Sequence, residues 1–213
     1  MKKHSGFIKN IIMVVASALT LVAVSFAWFT TNFQTNLDGY KASISGETLK
    51  VDFYQADEKG KYQPLPGDIE LTDFIPGEYN KYKFEVTTKT ADKLKMSFSI
   101  DDLPADMPEK LRDNVRIKYS VYSLTKKTAS NGTITYVNGT QLASSGGDYV
   151  PLTDIYNNNG KIFSALSLAD YQTTSADRFA IYYEIGLSED APAELGGLES
   201  SLGSISISAQ RIG

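Results

Sequence analysis

For chemistry the chain offers carboxylates and very little else. None of its 213 residues is Cys and the one His is His4. A Ser-His-Asp or Cys-His nucleophile therefore has no base within the body of the chain, and an H-E-x-x-H zinc site has no ligands. What remains is acid chemistry. Asp101-Asp102, Glu189-Asp190 and Asp73 could be drawn together in space as the acid and base of sugar hydrolysis, although each reads singly as a turn or surface acid. The stretch DIYNNNG, Asp154 to Gly160, has oxygen-bearing side chains at spacings close to those of a calcium loop. Its Gly falls one place late, however, and Ala165 stands where the closing Glu belongs, so it reads as a polar turn. The sequence thus predicts no catalytic residue, no metal site and no cofactor, in a protein that is not an enzyme. Asn131-Gly132-Thr133 and Asn138-Gly139-Thr140 fit the glycosylation pattern, which turn formation explains equally well. The 13 Tyr could line a carbohydrate platform, but they also suit strand positions and protein interfaces.

The elements that would carry these residues are mostly strands. Period-two alternation places Leu49, Val51 and Phe53 on one face, then Tyr82, Phe84 and Val86, then Leu94, Met96, Phe98 and Ile100. It recurs in Val115, Ile117, Tyr119 and Val121, in Phe179, Ile181, Tyr183 and Ile185, and in Ile205, Ile207 and Ala209. Each pattern fits a half-buried antiparallel strand. Turn residues separate them at 65–68, 75–80 and 101–108 and at Gly146-Gly147. Asn131-Gly132 and Asn138-Gly139 bracket TITYV and predict two tight hairpin turns. Only 164–172 and 107–114 have the makings of short helices. The expected fold is all-β, an antiparallel sandwich or jelly roll with short helical insertions. Residues 124–175, rich in Ser, Thr, Asn and Gly, read as an elaborated loop insertion.

Ahead of the strands stands an export-type segment. Lys2, Lys3 and Lys9 precede an uncharged run from Ile11 to Trp28, a basic start and apolar centre typical of a signal peptide. Its length also approaches the ~20 residues of a bilayer span, so an uncleaved anchor is the alternative. Ser25 and Ala27 supply the small residues a leader peptidase requires and set the cut between Ala27 and Trp28, with a cut before Phe26 as competitor. A pilin-type cut after Gly6 fits less well, because Ile11 occupies the position where those pilins carry Glu. Removal of residues 1–27 leaves 186 residues, enough for one core, in which 18 of the 21 basic residues face 25 acidic ones. The resulting formal charge of −7 argues against nucleic acid or anionic lipid as partner. A domain without cysteine must be held by apolar burial alone.

The leader and the order of motifs resemble the TasA and camelysin family of Gram-positive surface proteins, whose leaders are cut by a dedicated signal peptidase of the SipW type. The residues that carry the resemblance are SFA-WFTTN at the leader's end, SGETLKVDF from Ser45, LTDFIPGEYNKYKFEV, TKTADKLKMSFSI and the closing SAQ of the last strand. The resemblance implies a secreted jelly-roll subunit of an extracellular biofilm fibre, self-associating and tethered by an accessory anchoring protein. It further implies that the freed segment 28–44, ahead of a domain spanning 45–213, adds as a strand to a neighbouring subunit. Trp28, Phe29, Phe33, Leu37 and Tyr40 would be the side chains that enter the neighbour's groove. The alternatives are a first strand pairing within its own sheet, a membrane-anchored adhesin or binding module, and a camelysin-type surface metalloprotease.

Overall fold

The computed structural model describes Met13 and residues 43–45, 49–64, 75–89, 91–172, 176–197 and 204–212. The predicted leader apart from Met13, its cleavage residues Ala27 and Trp28, and the donor-segment residues Phe29, Phe33, Leu37 and Tyr40 lie outside them. So do Asp73 and the 65–68 turn. Among the described residues no helix is long and apolar enough to cross a membrane.

The architecture is all-β, as the alternation predicts. Eleven strands are described: β1 (Ser43–Ser45), β2 (Leu49–Ala56), β3 (Tyr62–Pro64), β4 (Tyr79–Thr88), β5 (Leu94–Asp101), β6 (Val115–Thr128), β7 (Ile134–Ser144), β8 (Val150–Pro151), β9 (Lys161–Ser167), β10 (Arg178–Leu187) and β11 (Ser204–Arg211). Two short α-helices, α1 (Glu109–Asn114) and α2 (Leu152–Asn157), and a 3-10 helix at Ala193–Gly197 accompany them. The strands form a four-stranded sheet in the order β1-β11-β5-β9 and a larger sheet in the order β3-β2-β4-β10-β6-β7, with β8 also paired to β6. All these pairings are antiparallel except β1 with β11.

Both sheets bury one face in a shared core. Phe98 of β5 meets Phe84 of β4 at 5.7 Å and Tyr183 of β10 at 5.4 Å between ring centroids, both edge to face, and so joins the small sheet to the large one. Edge-to-face rings add to the area they bury, because the positive ring edge meets the negative face. Leu49, Tyr82, Val86, Leu94, Met96, Ile100, Val115, Ile117, Val121, Ile181, Ile185, Ile205 and Ile207 are likewise buried, which confirms every inward face read from the alternation, with Phe53, Tyr119 and Ala209 partly buried at its margin.

Several local expectations are corrected. Residues 164–172 are not helical: 161–167 form β9, since β5 needs an edge partner and pairing outweighs the helical propensity of Ala and Leu. Asn131-Gly132 does turn between β6 and β7, with Gly132 at φ +80°. Asn138-Gly139, by contrast, lies within β7, where the register to β6 shifts between Tyr122 and Leu124. A Cβ at Gly139 would stand 2.9 Å from both Ser123 Oγ and Thr125 Oγ1, so this glycine answers a close strand approach. Residues 124–175, expected as a loop insertion, hold the end of β6 together with β7, β8, α2 and β9. Helix α1, within the expected 107–114, buries Leu111.

Candidate functional site

Of the acids named from sequence, Asp73 lies outside the described residues and Asp101-Asp102 takes an ordinary place at a strand end. Asp101 ends β5 and accepts a hydrogen bond from Ser99 Oγ at 2.9 Å, while Asp102 turns the chain at φ +57°. Both line a cavity of about 420 Å³ with Leu103, Tyr156 and Asn159. Among the described residues no three His, Cys, Asp or Glu stand together as a metal site. The Asp154–Gly160 stretch begins as helix α2 and closes as a Schellman cap. Gly160 N–H donates to Ile155 O and Asn159 N–H to Tyr156 O, with Asn159 at φ +53°. Gly160 then approaches β5 so closely that a Cβ there would lie 2.0 Å from Ile100 O. Its role is packing.

The feature with chemical potential is a backbone edge. β11 pairs with β5 without interruption, from Ser204 opposite Asp101 to Arg211 opposite Leu94. Its β-branched Ile205 and Ile207 point into the core, and Ser206 and Ser208 alternate with them. On its other flank the described residues place only β1, three residues long and parallel: Ser43 opposite Ser206, Ile44 opposite Ile207, Ser45 opposite Ser208. β1 thus covers the middle of the edge and leaves both ends uncovered among the described residues. Unpaired N–H and C=O groups along such an edge form a template for a further strand.

The remaining edges are blunted. β3 is three residues long and ends in Pro64, which has no N–H to offer. β7 is irregular at Gly139. β9 is bulged against β5 on both sides of Phe98, and its Ala165 takes φ +54° while donating its N–H to Ser97 Oγ at 3.0 Å. Bulges twist an edge away from a flat partner. β11 carries none.

The donor side chains expected from sequence lie outside the described residues, and the sequence reading missed β1 and therefore the edge. One signal was available: Ser43-Ile44-Ser45 repeats Ser206-Ile207-Ser208, the tripeptide it pairs with. Set against protein-family models, curated protein sequences and solved structures, the chain matches none of them.

Proposed function

We propose that this protein is the structural subunit of an extracellular fibre, related to the TasA and camelysin family and built as a jelly-roll sandwich that polymerises by strand donation. The observation that carries the reading is the long, unbulged β11 edge, covered among the described residues by three residues only. The alternation of β4, β5 and β6, and of β9, β10 and β11, between the two sheets supports the jelly-roll assignment.

In this reading a SipW-type peptidase removes residues 1–27 and exports a subunit beginning near Trp28. A typical strand has about five or six residues, more than either uncovered end of β11 can accommodate. The neighbour's segment therefore displaces β1 and runs along the whole edge, pairing its backbone with β11 while Trp28, Phe29, Phe33, Leu37 and Tyr40 supply apolar contacts. The Ser-Ile-Ser of β1 acts as a placeholder that keeps the edge satisfied until a neighbour arrives.

N-terminal sequencing and intact mass of the secreted protein, followed by deletion of residues 28–36, test this. A mature start at or beside Trp28, with the deletion variant a folded monomer that forms no fibres by electron microscopy, is the expected result. Fibres that assemble undiminished from the deletion variant would refute strand donation.

A further inference from the structure

The outer face of the large sheet is unlike the rest of this acidic chain, whose formal net charge is −4. At one end of that face, pairing sets Glu184 of β10 between Lys81 of β4 and Lys118 of β6, with Arg116 beyond them opposite Gly186. Adjacent strands lie about 4.8 Å apart, so the two lysine backbones are roughly 10 Å apart across the carboxylate.

Three other cations of this face are neutralised: Lys50 by Asp52 at 2.8 Å, and Lys83 and Arg178 by Glu85 at 2.5 and 3.8 Å. Lys81, Arg116 and Lys118 form no ion pair among the described residues. Arg116 donates to the carbonyls of Asp113 and Val115, and Lys118 stands 5.3 Å from the Tyr149 ring. Glu184 accepts a 2.6 Å hydrogen bond from the Tyr149 hydroxyl and keeps acceptor capacity to spare. The Tyr149 ring is stacked at 4.0 Å on Tyr79, and Tyr79 in turn lies against the backbone of Gly186.

We propose that this corner binds an acidic polysaccharide, a polymer bearing carboxylates together with free hydroxyls. Three unpaired cations attract repeated negative charge. The carboxylate among them asks for a hydrogen-bond donor, which sugar hydroxyls supply and a phosphodiester backbone does not. Tyr79 and Tyr149 stack on each other and Lys118 stands over the Tyr149 ring, which takes up the surfaces on which nucleic-acid bases would stack. The inference stands independently of fibre assembly.

The test is binding of the full chain to polygalacturonate, to neutral dextran and to single-stranded DNA, at low and high salt. Polygalacturonate binding that weakens with salt is expected, with no dextran binding and weaker DNA binding. Lys81→Glu combined with Lys118→Glu should lower affinity about tenfold, from two reversed surface charges. Lys59→Glu with Lys61→Glu, on the exposed turn after β2, changes net charge equally and should leave binding intact. Circular dichroism and thermal melts monitor folding, and the single Lys81→Glu variant, altered only at an exposed side chain, decides the matter if the double variant is unstable. Absence of polygalacturonate binding, equal loss in the control pair, or tighter binding of DNA would overturn the proposal.

Discussion

Tyr82 shows how a single residue reports on this core. Its side chain is 1% exposed, and its hydroxyl has no hydrogen-bond partner among the described residues. A buried, unmatched hydroxyl costs about 1–3 kcal/mol, whereas the ring packs at 6.4 Å from that of Tyr183. Tyr82→Phe keeps the ring and removes the cost, so chemical denaturation at neutral pH should show a gain of about 1 kcal/mol. Burial also raises the hydroxyl's pKa well above its ordinary 10.0. The unfolded chain therefore gives up this proton first as pH rises, and binds fewer protons there than the folded chain does. The stabilising contribution is complete below pH 10 and is lost as pH climbs toward the raised folded value. The Phe variant, having nothing to ionise, should lose less stability than the parent between neutral pH and strongly alkaline conditions. Parallel slopes for the two proteins would contradict this assignment.

Between elements, one close junction is the turn after α2. Gly160 takes φ +75°, donates its N–H to Ile155 O, and accepts a 2.8 Å hydrogen bond from Ile100 N–H of β5. Gly160→Ala would force a Cβ against Ile100 O in a backbone region that L-residues disfavour. A loss of about 3 kcal/mol or more is expected in urea unfolding, and a loss under 1 kcal/mol would mean the contact is loose. This junction also shows where the sequence stops being legible. The long strands were readable because each carries its own period-two signal, from Leu94–Ile100 to Phe179–Ile185. The helix Leu152–Asn157 is hidden between an expected loop and the Asp154–Gly160 polar turn, because a six-residue helix repeats its apolar period barely once, at Leu152 and Ile155. β9 was hidden because its conformation is imposed by β5, and Asn138-Gly139 mimicked a hairpin because a glycine needed for close approach looks the same in sequence as one needed for positive φ. The candidate site divides the same way: the Ile205 and Ile207 alternation was legible, whereas β1 is too short for any period and pairs with a segment far along the chain.

For the whole molecule the issue is whether β1 and a neighbouring subunit compete for one edge. A covalent lock decides it. Ser45 and Ser208 are paired residues on adjacent strands, where backbones lie about 4.8 Å apart, within the Cα separation that a disulfide spans. The chain has no cysteine of its own, so Ser45→Cys with Ser208→Cys can form only the intended bridge within a subunit. Oxidised, β1 cannot leave β11, and the edge stays occupied in its middle. The oxidised protein should remain monomeric in sedimentation velocity while keeping its circular dichroism spectrum, and a reductant should restore assembly to the parental rate. Assembly at equal rates in both redox states would place the subunit contact elsewhere on the surface. A protein that assembles only when reduced would mean that the three residues of β1 hold the edge against the neighbour and set the kinetics of growth, since their release from β11 then precedes each addition.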